Sequence, residues 1–305
     1  MTTNNHKKIF VPPIKIQGKK TKLVPFILEN LPISNFDRWV EPFMGSGVVG
    51  VNVQPRKALF ADNNPHIINF YNAVKSGELT SKIAGEFLYD EGAILSQKGD
   101  EHYYFVRDRF NKEHRSLDFL FLNRSCFNGM IRFNRSLGFN VPYGHKPERF
   151  AKSYITKIVN QIKQIEFLCS KNDWQFVCQD FRVTLADLGE RDLVYCDPPY
   201  IGRHVDYFDS WDEETDRELE AVLRNTKAKF LVSTWFSNKY RTNPFLREIW
   251  DDYYVRTTEH FYHLGGKEEN RHPMTEAVIL NYMPQSVPVP HDDMRLTYEA
   301  SASLF

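Results

Sequence analysis

The chain has 305 residues, 42% apolar and 26% charged, and its Lys and Arg balance its Asp and Glu at zero net charge. That length suits one α/β domain with an insertion, or two domains, and the zero balance argues against a generic polyanion binder. No apolar run approaches the roughly 20 residues that span a bilayer, and Met1 to Lys8 is polar with no apolar core, so neither a membrane segment nor a signal peptide is expected.

The four cysteines, Cys126, Cys169, Cys178 and Cys196, show no C-x-x-C spacing and no His at ligand spacing. No metal site is expected, and a reduced, cytoplasmic setting fits.

In chain order, Ile16-Gln17-Gly18-Lys19-Lys20 precedes a helical pattern of Leu23, Phe26, Ile27, Leu28 and Leu31. A glycine before lysines at a helix start can bring backbone N–H groups and positive charge to a ligand carboxylate. Asp37 to Glu41 reads as a strand. Gly45, Gly47 and Gly50 follow in G-x-G-x-x-G spacing, then a helix and a second strand ending at Asp62, 17 residues after Gly45. An acid at that distance suits a ribose hydroxyl. A nicotinamide dinucleotide would place its pyrophosphate on the turn; Glu41 and Phe43 ahead of the glycines suit a sulfonium better. A glycine turn without any ligand is the alternative.

Ile67 to Val74 continues as a helix ending near Gly77. From about residue 80 to 165 the α/β alternation stops. Tyr103 to Leu122 is helical in pattern, and Asn123-Arg124-Ser125-Cys126-Phe127-Asn128-Gly129-Met130-Ile131-Arg132-Phe133-Asn134-Arg135 follows. Asn128-Gly129 is a tight-turn signal. Arginines alternating with aromatics and asparagines suit phosphate clamping, stacking and base reading. From Arg107 to Lys157 eleven Lys or Arg face four Asp or Glu, a net of +7, while Asp209 to Glu220 holds seven acids and one Arg, a net of −6. The basic stretch with its aromatics is a nucleic-acid footprint, or else a solvated charged face.

Phe150 to Cys169 reads as a helix and Trp174 to Cys178 as a strand. Asp180-Phe181 at its end could hold the amino group and ring of an adenine, with a helix N-cap at Asp180 the competing reading. Leu193 to Cys196 is a buried strand that runs into Asp197-Pro198-Pro199-Tyr200. The prolines stiffen the turn, so one carboxylate, one carbonyl and one aromatic face can be aimed at a planar exocyclic amine. A polar, aromatic loop with Tyr207 and Phe208 follows. Glu213 to Arg224 is then helical, Phe230 to Ser233 a strand, Tyr253–Thr258 and Ala277–Asn281 an antiparallel pair, and Pro284 onward a tail.

Together these stretches resemble the Dam-like (alpha-group) family of bacterial and phage DNA adenine-N6 methyltransferases over about residues 14 to 283. Ile16-Gln17-Gly18-Lys19-Lys20 with Lys22-Leu23 is similar to its N-terminal cofactor motif, Glu41-Pro42-Phe43-Met44-Gly45-Ser46-Gly47 to its glycine turn, and Asp62-Asn63-Asn64 to the acid after its second strand. Leu122-Asn123-Arg124, Phe127-Asn128-Gly129, Arg132-Phe133-Asn134 and Phe139-Asn140-Val141-Pro142-Tyr143-Gly144 are similar to its DNA-reading hairpin. Ile16 stands where the family has Trp or Tyr, and Phe127 where Tyr is commoner.

The resemblance implies a Rossmann-like S-adenosylmethionine-dependent methyltransferase sheet, made of 14–79 and 166–283. A largely helical target-recognition domain carrying a β-hairpin is inserted at 80–165, and 284–305 is a tail. It implies Asp197, Pro198 and Tyr200 as catalytic. Ile16, Lys20, Glu41, Phe43, Gly45, Gly47, Asp62, Asp180 and Phe181 would hold S-adenosylmethionine. Arg124, Phe127, Asn128, Arg132, Asn134 and Asn140 would hold double-stranded DNA, with Arg124 on phosphate and Arg132 on a guanine of a GATC-type site. The resemblance leaves open a solitary methylase or one with a companion restriction endonuclease. Ser303-Leu304-Phe305 resembles the Ser-Leu-Phe end of sliding-clamp-binding peptides. The rival readings are a nicotinamide-dependent oxidoreductase and a catalytically silent DNA-binding regulator.

Overall fold

The computed structural model describes residues 8–201 and 211–284, apart from 19, 33, 135 and 262–272. Tyr207, Phe208, Arg135 and the terminal Ser303-Leu304-Phe305 lie outside the described residues.

Seven strands form one sheet: β1 (Arg38–Glu41), β2 (Lys57–Asp62), β3 (Asp173–Cys178), β4 (Asp192–Cys196), β5 (Lys229–Asn238), β6 (Tyr254–Phe261) and β7 (Pro273–Leu280), in the order β3-β2-β1-β4-β5-β7-β6. The first five strands of that order run parallel, and β7 is antiparallel to both β5 and β6. Arg38 grips both oxygens of Asp192, at 3.0 and 2.6 Å, at the amino ends of β1 and β4. This fork fixes the register of the two strands whose other ends carry the site.

Side chains alternate across the sheet. Trp39, Leu193, Tyr195 and Leu231 enter one apolar cluster; Val40, Val194, Cys196, Phe230 and Val232 enter the other. The first is covered by α1 (Val24–Glu29), α2 (Val48–Val53) and α3 (Pro65–Ser76), and it continues into α4 (Ser81–Lys98), α5 (Asp100–Glu113), α6 (Ser116–Ser125) and α7 (Lys152–Lys171). The second is covered by α8 (Phe181–Leu185), α9 (Glu213–Arg224) and α10 (Phe245–Glu248). A strand buried on both faces reads as a continuous apolar run, as β4 does. Helix ends follow local chemistry: the Asn64 side chain caps α3 by accepting from His66 N at 3.0 Å, Pro65 opens it, and Gly77 closes it at φ 81°.

The segment from about 80 onward is helical, as expected from the loss of alternation. α7 runs unbroken through residues 165 and 166, and one cluster joins Phe121 and Ile162 to Phe60 and Tyr71 of the sheet side. Arg109 and Asp118, from the stretch that also read as a solvated face, join Glu91 and His102 to tie α4, α5 and α6 together. Arg109 binds Glu91 at 2.8 Å and Asp118 at 2.9 and 2.5 Å, and His102 meets Glu91 at 2.5 Å.

Two chain reversals make the aromatic–arginine stretch. Asn128 (φ 53°) and Gly129 (φ 67°) both take left-handed backbone, closed by Met130 N to Phe127 O at 3.1 Å. The second lies between Arg132 and Asn140, with the isolated antiparallel bridge Phe133–Phe139 and Asn140 N to Arg132 O at 3.2 Å. The hairpin is thus a pair of bridged turns, Cys126–Tyr143 being the other bridge, rather than a long two-stranded ladder.

An N-terminal strap is held almost wholly by side chains. Asn52 pairs with both the N–H and the C=O of Phe10 at 2.9 Å, Gln161 donates to Val11 O at 2.8 Å, and Arg124 donates to Pro13 O. Asn123 pairs with both backbone groups of Lys15 at 2.8 Å.

Candidate functional site

The strand order reverses between β1 and β4, and ligands of open α/β sheets bind at the carboxyl edge of such a switch point. That edge collects the expected residues: Phe43 just past β1, Asp62 closing β2, Asp180 and Phe181 just past β3, and Asp197 just past β4.

The glycine turn is built for close approach. Gly47 caps α2 in left-handed backbone at φ 67°. A Cβ on Gly50 would lie 2.3 Å from Phe60 Cε1 and 2.6 Å from Glu41 Oε2, so no other residue fits. Gly45 N donates to Asp62 Oδ2 at 2.8 Å and Asn64 N to Asp62 Oδ1 at 2.9 Å. Ile16 lies on the turn, its Cδ1 being 3.2 Å from where a Gly45 Cβ would stand. Phe43 meets Phe181 and Trp211 with ring centroids 5.4 Å away in each case. Asp180 caps α8, accepting from Arg182 N at 2.7 Å, so the capping reading of this residue is realised.

Glu41 lies beneath the turn rather than above it. It is 2% exposed, and its Oε2 accepts from Trp39 Nε1 at 2.8 Å and from Gly50 N at 3.1 Å. Burial pushes its carboxyl up to about 8 against those hydrogen bonds. Burial likewise takes Asp62 up to about 6 and holds Asp197 above the usual carboxylate range, with Lys20 opposing. Burial is the largest cause at all three carboxyls, and the Lys20 ammonium opposes it at Asp197. A pyrophosphate on this turn would meet Asp62 and find the Gly45 N–H already given to it. A nucleoside that carries a cation fits the same surface.

At Asp197 the chain brings together residues far apart in sequence. Lys20, only 5% exposed in its side chain, places Nζ 2.7 Å from Asp197 Oδ1 and 4.8 Å from the centroid of the Tyr200 ring. Its approach to Oδ1 is an ion pair rather than a directed hydrogen bond. The Tyr200 hydroxyl donates to Glu276 Oε2 at 2.8 Å. Tyr195, stacked on Trp39 at 5.9 Å, shares a hydroxyl hydrogen bond with Ser233 at 2.8 Å under the motif.

On the inserted side, Phe127 is 50% exposed and Asn128 is also exposed. Arg132 Nε donates to Asn140 Oδ1 at 2.8 Å, so these two residues form one unit. Asn134 shapes its turn by accepting from Ser136 N and Gly138 N, both at 2.9 Å. Arg124 stands apart from them. Its guanidinium is engaged by Pro13 O and by Gln161 Oε1, the latter at 3.2 Å, and burial takes its pKa down to about 10. To touch a phosphate it would have to abandon the strap.

Sequence reasoning missed four participants. Glu276 sits at the head of an apolar run, where a lone acid was the available signal. Asn123 and Lys15 join the strap to the turn at Gly129, whose Cβ would lie 2.7 Å from Lys15 Cδ. His66 stacks on Phe133 at 4.9 Å and 15°.

Among the described residues no cluster of three or more His, Cys, Asp or Glu is arranged to hold a metal ion, and no helix is long and apolar enough to cross a membrane. Compared with known proteins, residues 17–267 match the family described as D12 class N6 adenine-specific DNA methyltransferase. The chain is 30% identical over 290 residues to the Type II methyltransferase M.FokI of Planomicrobium okeanokoites, which covers 92% of this chain and 44% of that one. It is 34% identical to the DNA adenine methylase of Serratia marcescens over 61% of this chain and 66% of the relative. The Retron Ec67 DNA adenine methylase of Escherichia coli is 33% identical over 69% of this chain and 71% of its own length. The chain thus spans less than half of the first of these relatives.

Proposed function

The chain belongs to the D12 class of N6 adenine-specific DNA methyltransferases, and from that premise we propose that it transfers a methyl group from S-adenosylmethionine to N6 of an adenine turned out of duplex DNA. One observation carries this reading. A nitrogen bearing hydrogens, Lys20 Nζ, rests at once on the Asp197 carboxylate and against the Tyr200 ring. An adenine amino group makes the same two demands.

When bound, S-adenosylmethionine would supply a methyl carbon attached to a sulfonium, the C–S bonding pair remaining on sulfur in the neutral thioether that leaves. The residues at the carboxyl edge divide the remaining work. Ile16, Phe43 and Phe181 would pack on the nucleoside, the backbone of Gly45 and Gly47 would lie against it, and Asp62 would take the ribose hydroxyls with the lone pairs left by Gly45 and Asn64. Asp180, beside its capping bond, receives the amino group of the cofactor adenine. Glu41 acts from below by bracing Gly50. Lys20, which rests on Asp197 in this structure, would have to give up that place to the target amino group and could then hold the carboxylate of the methyl donor.

The target N6 is inaccessible inside the stack, so the base must leave it. Tyr200 stacks on the extruded ring. Asp197 and the Pro198 carbonyl would accept the two N6 hydrogens, which would draw the nitrogen lone pair out of conjugation and leave it free to attack a methyl group held in line with it. Asp197 stabilises positive charge as it develops on N6. The surplus proton then passes to Asp197, whose raised proton affinity suits the task.

Phe127, Asn128, Asn134 and Asn140 face the duplex around the two turns, and Arg132 reads guanine O6 and N7 in GATC or a relative of it. The words "Type II methyltransferase" in one relative's name support a companion restriction endonuclease. The test is sequencing of N6-methyladenine in DNA from an expressing host, with tritium transfer from labelled S-adenosylmethionine to duplexes of the site found. DNA without new N6-methyladenine, or tritium uptake indifferent to Asp197→Ala, would overturn it.

A further inference from the structure

Glu276 lies within β7, opposite Trp235 of β5 and Thr258 of β6, and is 1% exposed. The four residues after it, Ala277, Val278, Ile279 and Leu280, are all buried and apolar. A carboxylate in such a place is costly unless it is hydrogen-bonded. What it holds is the phenol of Tyr200, at 2.8 Å. Tyr200 follows the Pro198-Pro199 turn in coil after β4. Its ring is therefore tethered at two ends, by the stiff turn at Cα and by a sheet strand at the hydroxyl. A ring fixed at both ends keeps one face toward the Lys20 ammonium, and so toward Asp197.

We propose that Glu276 is a positioning residue, whose buried carboxylate holds the Tyr200 phenol and so sets the plane on which the extruded adenine stacks in reach of Asp197. This rests on the stacking role given to Tyr200 above. A carboxylate suits the task better than a neutral acceptor because a charged acceptor makes the shorter, stronger bond to O–H. Reaching the hydroxyl from β7, a different strand from the one that feeds the motif, ties the platform to the sheet independently of the proline turn.

The test uses the full chain, S-adenosylmethionine and two duplexes of the methylated sequence, one with adenine at the target position for methyl transfer and one with 2-aminopurine there to report extrusion. Glu276→Ala is expected to slow single-turnover methyl transfer about tenfold, the scale of one lost hydrogen bond, while the KM for DNA moves less than about twofold. Glu276→Gln, whose amide oxygen still accepts from the phenol, recovers most of the rate. Tyr200→Phe, which keeps the ring and removes only the hydroxyl, reproduces the Glu276→Ala loss. The double variant Glu276→Ala/Tyr200→Phe is no slower than either single one. Losses that multiply in the double variant, or a Tyr200→Phe enzyme at the wild-type rate, overturn the proposal. Where Glu276→Ala does not fold, Glu276→Gln with Tyr200→Phe decides by the same comparison. Tyr200→Ala keeps the two levels apart. If it leaves methyl transfer and the 2-aminopurine signal intact, the stacking role has failed; if it abolishes both while Tyr200→Phe is unaffected, only the role of Glu276 has failed.

Discussion

Replacing Glu41 by Gln should flatten the pH dependence of stability. The carboxyl is buried under the glycine turn, and burial takes it from its ordinary 4.5 up to about 8. Between those values the unfolded chain has lost the proton and the folded chain keeps it. The folded state then binds more protons, so stability is full below pH 4.5 and falls as the pH rises toward about 8. At about 1.36 kcal/mol per pH unit for one proton, the loss is at most roughly 5 kcal/mol across that window. The amide of Gln has the shape of the neutral acid, and its oxygen can still accept from Trp39 Nε1 and Gly50 N. Urea melts from about pH 5 to about pH 9 should therefore show the variant gaining on the wild type by roughly 3–5 kcal/mol. Asp62 and Asp197, also raised, decline in both proteins and cancel in the difference. Parallel curves for the two proteins would mean that Glu41 is ionised in the fold, and the reasoning from burial would be refuted.

Asp197→Ala should cost on the order of 10²–10³ or more in methyl transfer with cofactor and DNA binding little changed; near-normal turnover of the purified variant would remove the core of the mechanism. Asp62→Ala should weaken S-adenosylmethionine binding without altering which sequence is methylated, and unchanged affinity by isothermal titration would leave Asp62 only as a brace for Gly45 and Asn64. Arg124→Ala should lower stability by about 1–3 kcal/mol through the strap and leave the salt dependence of DNA binding intact; an unchanged melt with a flatter salt slope would restore Arg124 as a phosphate contact. Arg132→Ala should cost about 1–3 kcal/mol at one base pair, measured with duplexes varied one base at a time, and equal slowing of every substrate would reduce it to a backbone contact.

What was legible in the sequence was local. Asp197-Pro198-Pro199-Tyr200 announces itself because prolines and a buried apolar run leave few other structures, and Gly47 and Gly50 because their backbone demands are their own. The sheet could be read because buried parallel strands are short apolar runs. What stayed hidden depends on partners distant in the chain. Lys20 meets Asp197, and Tyr200 meets Glu276, only once the sheet has closed. Arg124 looked like a phosphate ligand because its residue type and neighbours suit one; its burial against Pro13 and Gln161 is a tertiary fact. Arg109 and Asp118 fell in the basic stretch that also read as a solvated face, and with Glu91 and His102 they form an internal network.

The strap has a consequence for the order of events during synthesis. Its holders, Asn52, Asn123, Arg124 and Gln161, are all made after it. At about 5–20 residues per second of translation, residues 10–15 wait many seconds for Gln161 to leave the ribosome. Pro12 and Pro13 keep that stretch extended in the interval, since proline cannot donate a backbone hydrogen bond and disfavours helix in the residue before it. Ile16 reaches the glycine turn from the end of this same stretch. The strap therefore closes, and Ile16 settles on the glycine turn, only after the helices that carry Asn123, Arg124 and Gln161 have been delivered.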